Sequence, residues 1–79
     1  MNPAIPLVSL PMGELGTFLR VEGNPALCRR LAALGFRKGA PISVEQRVSG
    51  GGRIVSIAGS RIALSSEILA SSYVERAVQ

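Results

Sequence analysis

The side chains able to do chemistry are few and scattered. The chain has no histidine and no aspartate, a single cysteine, Cys28, and five carboxylate side chains, Glu14, Glu22, Glu45, Glu67 and Glu75. General acid–base catalysis draws mostly on histidine or on paired carboxylates, and sequence spacing brings no two of these glutamates together. Cys28 has no histidine to activate it and lies away from any helix N-terminus, so it reads as a core thiol in a reducing compartment. Metal ligation needs clustered His, Cys or carboxylate groups, so neither a metal site nor a cofactor is expected. Gly50-Gly51-Gly52 lacks the lysine and Ser/Thr of a phosphate-cradling loop, and no helix follows it; it reads as a hairpin loop. The chain is not expected to be an enzyme.

What remains is cationic. The net charge is +4, from eight arginines and one lysine, and four of these nine, Arg29, Arg30, Arg37 and Lys38, fall within ten positions. Such a cluster suits an acidic partner surface, a nucleic acid or an anionic lipid, and otherwise is a solvated helix face. The nucleic-acid option is the weaker one. Small barrels that bind single strands use stacking aromatics, and the chain offers only Phe18, Phe36 and Tyr73.

One short helix must position the cluster. Asn24 can cap its N-terminus, and Pro25 suits the first helical position. Leu27, Leu31 and Leu34 share one face. Gly35 supplies the left-handed residue that stops the helix, and Phe36 folds back onto Leu31. Arg29 and Arg30 lie off the apolar stripe, and Arg37 and Lys38 follow the stop. A helix this short is not stable alone in water, so its leucine face must dock on strands.

The rest of the chain reads as strands. Residues 1–6 are expected to be an extended, loosely held tail, and Leu7–Leu10 an edge strand. Pro11–Glu14 is a turn. Gly16–Glu22 is a strand with Thr17, Leu19 and Val21 on one face and Phe18, Arg20 and Glu22 on the other. Ile42–Val48 alternates, with Ile42, Val44 and Val48 inward. Gly59-Ser60 reads as a two-residue hairpin turn, which pairs Ile57 with Ile62 and Val55 with Leu64. Ser66–Ala70 makes one helical turn, and Ser72–Ala77 resumes a strand in which Val74 and Val78 share a face. At 79 residues the chain is expected to be one domain spanning 1–79. The fold class is mostly β, a small closed antiparallel barrel with one inserted helix and a short helical turn near the C-terminus. No run approaches the ~20 apolar residues of a membrane span. The segment Met1–Met12, with three prolines and no basic residue ahead of it, is a poor signal peptide, so a cytosolic location is expected.

Three blocks together resemble the ferrous iron transport protein A family, FeoA. They are Leu10-Pro11-Met12-Gly13-Glu14-Leu15-Gly16, the stretch from Gly23 through Gly39, and Gly59-Ser60-Arg61-Ile62-Ala63-Leu64-Ser65. Many relatives carry an acidic residue where Asn24 stands, and both types can cap a helix. The resemblance implies an SH3-like barrel with a cytosolic accessory role in bacterial ferrous iron uptake, beside FeoB, the membrane transporter with a GTP-binding cytosolic domain. It also implies that contact with the membrane is indirect, through that partner. Barrels of this family occur fused to metal-dependent transcription repressors as well. A free chain of this length fits the transport accessory better. The family label includes transition metal ion binding, although iron itself need not touch the protein. The partner contacts expected from the residues are Arg29, Arg30, Leu34, Gly35, Phe36, Arg37 and Lys38. A competing role for Arg37 is an arginine finger acting on the transporter's GTP site.

Overall fold

A computed structural model of the protein describes residues 3–77. Six strands form one antiparallel sheet: β1 (Ala4–Pro6), β2 (Leu15–Val21), β3 (Pro41–Arg47), β4 (Arg53–Ile57), β5 (Ser60–Leu64) and β6 (Ser72–Arg76), in the order β1-β6-β2-β3-β4-β5. Helix α1 (Pro25–Ala33) joins β2 to β3, and α2 (Ser66–Ser71) joins β5 to β6. The sheet curls round one core built from Phe18, Ile42, Val44, Val55, Ile57, Leu64 and Val74, closed by Leu7, Leu10, Leu31, Phe36 and Leu69. The expected face partner of Val74, Val78, lies outside the described residues.

Both ends of α1 are set by their own residues. The Asn24 side chain accepts a hydrogen bond from the Leu27 N–H at 2.8 Å, and Pro25 follows it at the first helical position. At the other end the Phe36 N–H donates to the Leu31 carbonyl at 2.9 Å and the Gly35 N–H to the Ala32 carbonyl at 3.1 Å. These are the paired bonds of a Schellman stop, and they bring Phe36 onto Leu31 as its hydrophobic contact. Asn24→Ala is expected to cost about 1 kcal/mol through the lost cap, read as a lower denaturant midpoint with an unchanged slope.

Four expectations give way to packing. The presumed tail is extended, but Ala4–Pro6 is tied into the sheet, with Ile5 opposite Val74. Leu7–Ser9 is a 3-10 turn rather than an edge strand, closed by the Leu10 N–H on the Leu7 carbonyl at 3.0 Å. In a strand Leu7 and Leu10 would face opposite ways, whereas residues i and i+3 eclipse in a 3-10 turn. Both leucines thereby reach the core. In β2 the ladder to β6 slips between Phe18 and Arg20. The bulge breaks the two-residue period, so Phe18 and Val21 both pack on the core while Arg20 lies outside, its guanidinium carbon 4.5 Å from the Tyr73 ring centre.

The hairpin is the fourth. Its turn is Ala58-Gly59, with φ of 51° and 78°, the positive pair that a type I′ turn requires. Val55 therefore pairs with Ile62 and Arg53 with Leu64, two positions from the expected register. Face sorting excludes a slip of one residue but not of two. Val55, Ile57, Ile62 and Leu64 still point inward under either register.

Candidate functional site

The C-terminal end of α1 and the loop after it form the site. Leu34 is the C-cap that follows α1, with φ −87° and ψ −1°. Its side chain is 44% exposed, although it shares a helical face with Leu27 and Leu31. The stop at Gly35 reverses the chain, and Phe36 takes the core position that a third docked leucine would have filled. Phe36 is 4% exposed, and its ring meets Phe18 edge-on at a centroid distance of 5.6 Å. Its expected role as a partner contact is corrected: the ring is sealed inside. Leu27 is half-buried against the core and Leu31 fully buried.

Gly35 sets the position of the whole end. Its φ is +105°, and a Cβ there would lie 2.5 Å from the Ala58 Cβ. The helix stop thus presses directly on the β4–β5 turn. Beyond that turn a shallow, largely apolar groove of about 280 Å³ runs over Leu15, Pro41, Ile57, Ala58 and Gly59. Leu15, 53% exposed, stands at its edge. Sequence reasoning missed this extension. One signal was present: Leu15 adjoins Gly16 on the face opposite Phe18, so it was placed to point away from the core.

Arg29, Arg30, Arg37 and Lys38 are all exposed. The Arg37 Nε donates to the Ala32 carbonyl at 3.2 Å, a second bond to the carbonyl that already accepts from the Gly35 N–H. Cations suit this negative end of the dipole. Among the described residues the ion pairs are Arg20–Glu22 at 3.4 Å, Arg61–Glu45 at 2.8 Å and Arg76–Glu14 at 2.6 Å. They occupy three of the glutamates and none of the four clustered cations. The first turn of α1 holds no acidic residue. Of the six cations outside these ion pairs, four thus lie on α1 and the loop after it, and the other two are Arg47 and Arg53.

Cys28 is half-buried rather than in the core. Its Sγ lies 3.7 Å from the Val21 carbonyl and 3.9 Å from that of Gly23, so it covers the junction between β2 and α1. Among the described residues no three His, Cys, Asp or Glu side chains come together, and no helix is long and apolar enough to cross a membrane.

Six antiparallel strands curled round one core, with a helix inserted after the second, define a small SH3-like barrel. The chain belongs to the FeoA domain family, whose model matches residues 5–76. The family is associated with ferrous iron transport. The Stenotrophomonas maltophilia FeoA crystallised with zinc, a prokaryotic SH3 domain protein linked to activation of ferrous iron transport, is 28% identical. It superposes with a TM-score of 0.75 over 90% of this chain and 89% of its own. FeoA from Chlorobium tepidum, 24% identical, gives a TM-score of 0.87 over 94% of this chain and 71% of that one. A manganese-dependent transcriptional repressor, also 24% identical, gives 0.84 over 96% of this chain but only 43% of its own length. No curated protein sequence matches the chain significantly.

Proposed function

We propose that this protein is a cytosolic accessory of bacterial ferrous iron uptake. It docks the cytosolic part of an FeoB-type transporter through the basic end of α1. The observation that carries this reading is the set of four exposed cations on α1 and the loop after it, none of them in an ion pair among the described residues, with Leu34 exposed between them in the chain. Exposed cations of this kind steer association with an acidic surface and fix its orientation, while Leu34 supplies apolar area. Gly35 and the buried Phe36 hold the geometry without themselves touching the partner. The domain needs no catalytic group for this role, and iron is the system's cargo rather than a resident ligand.

Reversing Arg29, Arg30, Arg37 and Lys38 to glutamate should leave the fold intact. It should weaken binding to the transporter's isolated cytosolic domain by at least about tenfold, measured by calorimetry. Wild-type binding should itself fall with added salt. Undiminished binding by the reversed variant would refute the basic docking surface. The same titration followed by GTP hydrolysis separates docking from an arginine finger, because an unchanged rate leaves Arg37 only the former role.

A nucleic-acid ligand is less well supported. Phe18 and Phe36 are buried against each other, and Tyr73 is covered by Arg20. Among the described residues no exposed ring is left as a stacking platform.

A further inference from the structure

Strand β5 ends the sheet, and its outer side has the features of a pairing edge. Ile57 and Ser60 flank the two-residue turn and so form a hydrogen-bonded pair. Such pairs alternate along an antiparallel ladder. Val55–Ile62 and Arg53–Leu64 are then hydrogen-bonded as well, and the N–H and C=O groups of Arg61 and Ala63 point away from β4. No backbone hydrogen bond from outside the ladder reaches either residue among the described residues. The opposite edge is guarded: β1 contains Pro6 and follows Pro3, neither with an N–H to offer. Strand β5 has no proline, no lysine and no bulge, the usual devices that protect an edge. Its one charged residue is Arg61, which makes an exposed ion pair with Glu45 at 2.8 Å.

We infer that β5 pairs with β5 of a second copy of this chain, antiparallel, about a two-fold axis at Ile62. The distribution of free groups selects that register. Centred on Ile62, Arg61 faces Ala63 of the second copy and Ala63 faces its Arg61, so every free N–H and C=O of the two strands is satisfied. The half-buried Ile62 side chains meet in the closer, non-hydrogen-bonded pair. Centring on Arg61 would oppose two like charges. Centring on Ala63 would require the Ser65 backbone, whose carbonyl already accepts from the Leu69 N–H at 3.0 Å. Two five-residue strands bury far less than the ~1,200 Å² of a stable interface, so the dimer forms only at high concentration. This inference is independent of the docking surface on α1.

The full chain is examined by sedimentation velocity from about 20 μM to about 1 mM, a range suited to weak association, together with amide shifts on dilution. The expected result is a concentration-dependent dimer with the largest amide shifts at Arg61 and Ala63. Ala63→Lys sets two lysines against Arg61 across the axis and should weaken association about tenfold, whereas Ala63→Glu should strengthen it by a similar factor. Ala63 is exposed, so thermal melts of both variants should match wild type. A monomer throughout the range overturns the inference. So does association that is indifferent to both substitutions, or that weakens with glutamate, as a register centred on Ala63 would demand.

Discussion

Phe36→Ala is expected to leave little folded protein at physiological temperature. The ring is 4% exposed and closes the core against Phe18 and beneath Leu31. Truncating a buried phenylalanine costs about 3–5 kcal/mol, against a total of about 4–12 kcal/mol for a domain of this length. The loss should appear as a fall in Tm of about 15–30 °C, read by circular dichroism. The position has a second duty, because Phe36 provides the hydrophobic contact of the helix stop. Its removal should also fray the last turn of α1, which carries Arg30 and ends at the Leu34 C-cap. A shift of only a few degrees would mean that the ring is not a core element and would return it to the candidate contact surface.

The second large effect is expected at Gly35. Alanine there would need φ near +105°, well outside the left-handed region that L-residues tolerate. Its methyl would also meet the Ala58 Cβ at 2.5 Å. That neighbour cannot swing aside, because its Cβ is fixed to a backbone already held at φ 51°. Strain of this kind costs about 1–3 kcal/mol, and relieving the overlap by moving the turn adds to it, so Gly35→Ala should lose about 2–4 kcal/mol. The two contributions can be separated. Ala58→Gly removes the overlap but not the torsional strain, so the double variant should recover about 1 kcal/mol in a mutant cycle. No recovery would show that the helix stop and the β4–β5 turn are not mechanically coupled. The partner-binding measurement on the same variants should weaken with the stop, since Leu34, Arg37 and Lys38 are placed by it.

Sequence alone determined α1 and both its ends. Asn24, Pro25, Gly35 and Phe36 act through hydrogen bonds and torsions spanning a few residues, and such signals need no tertiary context. It also showed the alternation of β3, the four-cation cluster and the blocks that place the chain in its family. Tertiary structure decided what local signals leave degenerate. A hairpin shifted by two residues keeps every side chain on its face, so face sorting leaves two registers, and the folded chain takes the one whose turn is Ala58-Gly59, packed close to Gly35. Leu7 and Leu10 reach the core as a 3-10 turn because the sheet leaves an opening there to fill. Leu34 and Phe36 have equal claims to the interior by hydrophobicity, and the reversal at Gly35 exposes one while burying the other. The groove over Leu15, Pro41 and Ala58 joins residues far apart in the chain, and no short-range pattern records their meeting.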